Sequence, residues 1–418
     1  MKHQIKSVWH NPLFVKMFTA YSLSTFGDWF DMIAIQVLLA YVWNTDPMII
    51  ALLPLTYAVP GILFGQLAGV LADQSKKRRL MIMADFLSAA ITGFLVWAPN
   101  VTMLLVLLTL RSAAGTFYVP AQQALTRQVV AEEHLLKASA WNGMIAQTAK
   151  ILGPMGGALA ITLFSPQVCL MINAISFLLS GLILLSARHQ EVSPSPPVKT
   201  EAAKPRFRDA WREGWRVVLG SRVITATLIF SMIGIFGVQM VDTQFAVLFH
   251  EILPNHKQVV GWCISAVGLG SVLIIAYLNR RCQEIRAYSW LFGSGFVLIG
   301  IGCASLGMLP YGANIVWALL PGLVTGLGNG IFIVVLGYIL QKEPPAESVG
   351  RVSGIMNSLM NAVVVIAPLL GGVLVTSIGA SLSFRMIGMF LAAFGLAGLL
   401  FQRLIWGNSK KTPANQKA

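Results

Sequence analysis

Apolar residues run through this chain in long unbroken blocks, and polar residues gather in the short gaps between them. A hydrocarbon layer about 30 Å thick is crossed by roughly 20 apolar residues in a helix. Twelve blocks reach that length, near 14–43, 47–72, 80–98, 101–124, 138–164, 167–187, 221–249, 257–279, 287–308, 313–340, 351–378 and 381–404. Proline falls inside several, at Pro54, Pro60, Pro120, Pro154, Pro321 and Pro368. Such prolines break soluble helices but are tolerated where neighbouring helices satisfy the freed backbone groups. The pattern predicts an all-α integral membrane protein with twelve transmembrane helices.

Composition agrees with that reading: 56% of residues are hydrophobic, 11% are charged, and mean hydropathy is +0.72. These values exclude an ordinary soluble domain. The net charge of +14 raises the question of a nucleic-acid partner, so its distribution matters more than its sign. Of 30 Lys and Arg, 26 fall at the two termini or in alternate gaps. This is the positive-inside bias of a multi-pass protein of the cell membrane with both ends cytoplasmic, and it excludes nucleic acid as the partner. The first block is as long as a full span and lacks a short apolar region followed by a small-residue cleavage site, so it is expected to be retained. Cys169, Cys263, Cys282 and Cys303 show no paired spacing, which supports neither a disulfide framework nor a metal site. No cofactor is expected.

Apolar sequence gives way to Pro, Ser, Lys and Glu over Glu191–Arg206. This predicts an N-terminal six-helix bundle over 1–190, a cytoplasmic linker over 191–220 and a C-terminal bundle over 221–418. The end of the linker, from Phe207 to Val218, places Phe207, Trp211, Trp215 and Val218 on one helical face and arginines on the other. Such a helix is expected to lie along the inner leaflet. The halves also repeat: Glu133 and Glu347, Lys137 and Arg351, Ser139 and Ser353, and Pro154 and Pro368 are each 214 residues apart. A constant offset points to two pseudo-symmetric bundles related by an axis along the membrane normal.

Local motifs make the reading specific. The gap after the second block reads Gly69-Val70-Leu71-Ala72-Asp73-Gln74-Ser75-Lys76-Lys77-Arg78-Arg79. It resembles the signature loop of the major facilitator superfamily, with Lys76 standing where that family usually has Gly. Arg111-Ser112-Ala113-Ala114-Gly115 is similar to the family's R-x-x-x-G on helix four, and Gly153-Pro154-Met155-Gly156-Gly157 to its antiporter motif on helix five, one residue shorter. The stretch Phe117 to Ala138 resembles the corresponding segment of macrolide-efflux-type drug:proton antiporters. The resemblance implies the major facilitator fold, a monomeric transporter that is not an enzyme, and Gly69, Asp73, Lys77, Arg78, Gly153, Pro154 and Gly157 as conformational positions. In the family the acid matching Asp73 faces the start of helix eleven, here near Gly350.

Ionisable residues deep inside spans are expensive and mark function by default. Four stand out: Asp28, Asp31, Arg111 and Lys150. Asp28 and Asp31 lie roughly 20–25 Å along the first helix and share one face by their spacing. Two acids and two cations balance, so these four are expected to meet in one closed cavity, with Asp31 as the proton carrier. Asp85, near the inner boundary, is expected to pair with the basic loop. Asn142, Asn173, Gln239, Asp242, Asn357 and Asn361 could line a cargo cavity or equally hydrogen-bond between helices.

No phosphate-binding loop follows a strand, so ATP is not the expected energy source. The reading is a secondary transporter exporting an amphipathic, drug-like or macrolide-like molecule in exchange for protons. A lysophospholipid carrier and a siderophore exporter remain open alternatives.

Overall fold

The first long helix starts where the sequence supplies a cap. The Asn11 side chain accepts hydrogen bonds from the amides of Leu13 (3.0 Å) and Phe14 (3.1 Å), and Pro12 follows at the first helical position. Both devices satisfy backbone donors that a helix start leaves open. The same Asn11 donates to the Val129 carbonyl at 2.9 Å, which ties this helix start to a distant helix end.

The structure, a computed structural model, describes residues 8–131, 134–187, 207–281, 288–345 and 348–402; a few side chains within them, Asp73 among these, are not described. Linker residues 191–206 and the Glu133 and Glu347 pair therefore lie outside the described residues. The helices are α1 (Pro12–Val37), α2 (Leu53–Gln74), α3 (Lys77–Leu95), α4 (Val101–Gly115), α5 (Tyr118–Val129), α6 (Leu135–Leu163), α7 (Pro166–Leu185), α8 (Phe207–Gly220), α9 (Arg222–Asp242), α10 (Phe245–Ile252), α11 (Val259–Arg281), α12 (Tyr288–Gly307), α13 (Ile315–Lys342), α14 (Val349–Ile378) and α15 (Ala380–Leu400).

All twelve apolar blocks are helical. Three are broken: a short helix, Pro47–Ile50, precedes α2 in the second block, α4 and α5 share the fourth, and α9 and α10 share the seventh. The break in the fourth follows from local chemistry, because α4 ends at Gly115 and Pro120, in the first turn of α5, has no amide to continue the ladder. Ten spans are long and apolar enough to cross a membrane. The other two, α3 and α6, contain 19 and 29 residues and carry charges within their length: Lys77, Arg78, Arg79 and Asp85 in α3, Lys137 and Lys150 in α6.

The chain forms two compact units, Met1–Thr200 with Pro254–Ser265, and Glu201–Leu253 with Ala266–Ala418. In the first, α1 packs on α6 and α7, and α3 packs on α7, α4 and α5. Met17, Met81, Leu125 and Leu184 form part of one buried cluster that joins α1, α3, α5 and α7. In the second unit α12 lies against α15 and α13, while α9 lies against α14. Glu251 of α10 accepts from the Ala380 amide at 2.9 Å and the Ser381 amide at 3.2 Å, placing a carboxylate at the positive start of α15.

The sequence repeat has a structural counterpart. Leu135 and Val349, which open α6 and α14, are separated by the same interval as Pro154 and Pro368 inside them. The helix α8 forms where expected, but the end of its apolar face nearest α9 is not left to lipid. Val218 is buried and Trp215 half-buried against a cluster containing Ile224, Val352 and Ile355. Protein packing competes with the bilayer for those side chains and wins at this end of the helix.

Close approach of α6 to α1 depends on which glycine is considered. A methyl group at Gly153 would overlap Cβ of Trp29, and one at Gly156 would stand 2.8 Å from the Phe30 ring. At Gly157 the nearest atoms, Phe30 Cα and Ile33 Cβ, lie at 3.5 and 3.6 Å, ordinary contact distances. Gly153→Ala is therefore expected to destabilise the purified protein by about 1–3 kcal/mol through overpacking. Gly157→Ala is expected to melt close to wild type, and thermal unfolding in detergent separates the two outcomes.

Candidate functional site

Ser24, Gly27 and Asp31 fall three and four residues apart on α1 and share its buried face. That face meets α7. Because Gly27 has no side chain, Asn173 and Ser176 of α7 fill its place; a Cβ there would overlap Ser176 Oγ and Asn173 Oδ1. Ser176 Oγ donates to Asn173 Oδ1 at 3.0 Å, which turns the amide nitrogen toward α1. Asn173 Nδ2 then donates to Asp31 Oδ2 at 2.7 Å.

Arg111, near the end of α4, forms an ion pair with the same Asp31 oxygen. Asp31 is 0% and Arg111 6% exposed, so the pair is removed from water. The guanidinium carbon lies 6.0 Å from the centre of the Tyr57 ring. The other carboxylate oxygen, Asp31 Oδ1, is buried without a hydrogen bond among the described residues. The pair is thus held by α1, α4 and α7 and leaves one acceptor open.

Beside it lies a cavity of about 520 Å³ in the first unit, within the size range of small-molecule sites. α1 contributes Tyr21, Asp28 and Trp29, and Asp28 is exposed on its wall. Tyr57, Tyr118 and Phe177 add aromatic surface from α2, α5 and α7, and Arg111 borders it from α4. Asp85 of α3 also lines it.

The structure thus brings together three of the four expected charges. Lys150 is not among them: it is exposed on α6, outside the cavity lining, with no ion pair among the described residues. The α1 to α6 contact near it is filled by Trp29 against Gly153, so an indole stands at the cavity wall there. The expected balance of two acids and two cations is replaced by Asp28, Asp31 and Asp85 around a single Arg111.

Asp85 corrects a second expectation. It is 1% exposed and accepts a hydrogen bond from Ser180 Oγ of α7 at 2.6 Å, so the α3 to α7 contact draws it away from the basic loop. Its position one turn and more inside α3, in a stretch with other polar residues such as Ser88, was the available sequence signal. Asn173 does hydrogen-bond between helices, as anticipated.

Asn142, Gln239, Asp242, Asn357 and Asn361 do not line this cavity. Asn142 and Gln239 are half-buried, whereas Asp242, Asn357 and Asn361 are exposed.

In the basic loop, Lys77 is buried and Arg78 donates to the Ala187 carbonyl just beyond α7. Lys16 donates to the neighbouring Ser186 carbonyl at 2.8 Å. Both cations therefore meet the negative end of α7 and pin it to α1 and α3. Gly69 has open space around it, and Pro154 sits inside α6.

The chain matches the Major Facilitator Superfamily over residues 17–365 and 255–418, and it belongs to that family. Among curated relatives, it is 28% identical to the multidrug efflux pump Tap of Mycobacterium tuberculosis over 81% of each chain. It is 21% identical to macrolide efflux protein A of Streptococcus pyogenes, over 84% of this chain and 86% of that one. The crystal structure of a bacterial homologue of the human lysosomal transporter Spinster superposes with a TM-score of 0.72 at 12% identity, covering 96% of this chain and 99% of that chain. The protein is thus a multi-pass membrane transporter of the major facilitator fold, distantly related to efflux proteins.

Removing one member of a buried ion pair strands the other, at a cost of about 3–5 kcal/mol. Arg111→Ala is expected to lower the melting temperature and yield sharply. The double variant Asp31→Asn with Arg111→Gln, which leaves neither member of the pair charged, is expected to recover much of that loss in a double-mutant cycle. Gly27→Ala is expected to displace Asn173 and destabilise the protein without altering any charge.

Proposed function

We propose that this transporter exports an amphipathic, hydrophobic small molecule in exchange for protons by alternating access, with the cavity beside Asp31 and Arg111 as its working site. The supporting observation is the buried pair itself. The guanidinium of the pair borders the cavity with Asp28, its carboxylate lies buried behind it, and Asp31 Oδ1 has no hydrogen bond among the described residues. Protonating the carboxylate removes its attraction for the cation, so the pair can exist in two states that differ by one proton. Coupling then follows if cargo and proton favour different states of the pair. Aromatic walls from Tyr21, Trp29, Tyr57, Tyr118 and Phe177 suit an apolar cargo. The relation to proteins named for macrolide and multidrug efflux supports the outward direction and the drug-like cargo.

On this reading the chain works as a monomer in the cell membrane with both ends cytoplasmic, and the basic loop and the α6 glycines set its conformational states. Purified protein in weakly buffered detergent, titrated with a macrolide, a lipophilic cation, a lysophospholipid and a siderophore, supplies the test. Proton release on adding a drug but not the lysolipid, abolished in Asp31→Asn, is the expected result. Binding of any of these compounds with no proton release would remove proton exchange. Release driven by the lysolipid alone would transfer the cavity to lipid transport.

A further inference from the structure

Asp85 lies in the cavity but outside the ion pair, and its surroundings are unlike those of Asp31. α7 gives it the hydroxyl of Ser180 at 2.6 Å. α5 brings Tyr118, 7% exposed, whose hydroxyl is buried without a hydrogen bond among the described residues. α1 brings Tyr21, Ser24 and Asp28, and α2 brings Tyr57. Arg111 of α4 is the single cation in the cavity lining, and it is engaged by Asp31. Asp85 therefore shares the cavity with neutral hydroxyls, aromatic rings and another carboxylate, and it has no ion pair among the described residues.

Three carboxylates around one guanidinium leave negative charge that this part of the protein does not balance. In an apolar bundle such an excess is balanced from outside, by a proton or by a cation that enters. An ammonium or phosphonium ion next to Asp85 would also meet the faces of Tyr21, Tyr118 and Phe177, which favour cations. The open Tyr118 hydroxyl is placed to hydrogen-bond a carboxyl group or a cargo donor at the same spot.

We propose that Asp85, positioned by Ser180 in the cavity that Tyr118 also lines, is a second cation-exchanging carboxylate, where a proton and the positive group of an organic cation compete. The proposal rests on the reading that this cavity carries cargo, and it narrows the cargo to lipophilic cations. It also gives the site a second exchangeable charge besides the Asp31 pair, so a monovalent cation can leave while more than one proton enters.

The experiment measures binding of tetraphenylphosphonium to the purified full-length protein between pH 5.5 and 8.5, together with the protons released per ion bound. Wild type is expected to bind more tightly as pH rises. Asp85→Asn is expected to bind about ten- to hundredfold more weakly, the loss of one charge-assisted contact. It should also release about one proton fewer and show a flatter pH profile, with Asp85→Glu restoring part of each. Tyr118→Phe should shift the pH profile without changing the melting temperature, which a purely structural hydroxyl would not do.

A second measurement needs no variant. Carbodiimide labelling of wild type, mapped by mass spectrometry, should modify Asp85 at low pH and be blocked by tetraphenylphosphonium. If Asp85→Asn binds and releases as wild type does, or if labelling of Asp85 is absent or unaffected by the ion, the proposal is overturned. Loss of drug-driven release in Asp31→Asn would in that case still stand as support for proton exchange. If wild type binds a macrolide with proton release but never binds tetraphenylphosphonium, proton exchange survives and the cationic subsite does not.

Discussion

A carboxylate and a guanidinium buried against each other inside an apolar bundle constrain everything around them. Neither Asp31 nor Arg111 can remain charged in that setting alone, so α1 and α4 must be held in one register, and α7 must deliver the Asn173 amide to the same oxygen. Asp31 lies on α1, the most buried of the ten apolar spans among the described residues. On the proposed reading stability and function depend on the same atoms: a group costly enough to need three helices to support it is also one whose protonation changes how those helices attract each other.

Small residues make that arrangement possible. Helices in a bilayer gain little from burying apolar surface against each other and rely instead on close contact and hydrogen bonds. Gly27 lets Asn173 and Ser176 reach α1, and Gly153 lets the Trp29 side chain lie directly on α6. In the second unit the same device appears without charges, where Gly300 of α12 and Gly388 of α15 lie against each other's backbone.

The charge balance of the cavity gives the proposed exchange its physical basis. Arg111 offsets one of three nearby carboxylates, and Lys150, which would have offset another, is exposed elsewhere on α6. The walls are otherwise aromatic or small and polar. A site of this kind discriminates by sign and by apolar contact rather than by a fixed set of hydrogen bonds, in keeping with a hydrophobic cargo of loosely defined shape. The cations of the basic loop act differently: Arg78 and Lys16 bind the carbonyl end of α7, so they hold the helix that supplies Asn173 and Ser180 to the site.

The sequence by itself determined what depends on local composition and period. The twelve apolar blocks and the repeated interval that aligns α6 with α14 are legible because the hydrocarbon layer and backbone hydrogen bonding act on each segment independently. It also marked Asp28, Asp31 and Arg111, since a charge inside an apolar block is conspicuous whatever surrounds it. Only the tertiary structure decided which charges meet. Lys150 and Asp85 have similar prominence in the sequence, yet one is exposed on α6 and the other is drawn into the cavity by a serine on a helix 95 positions away. Pairing of that kind is set by how glycines and aromatic rings on neighbouring helices fit together, and no single helix carries that information.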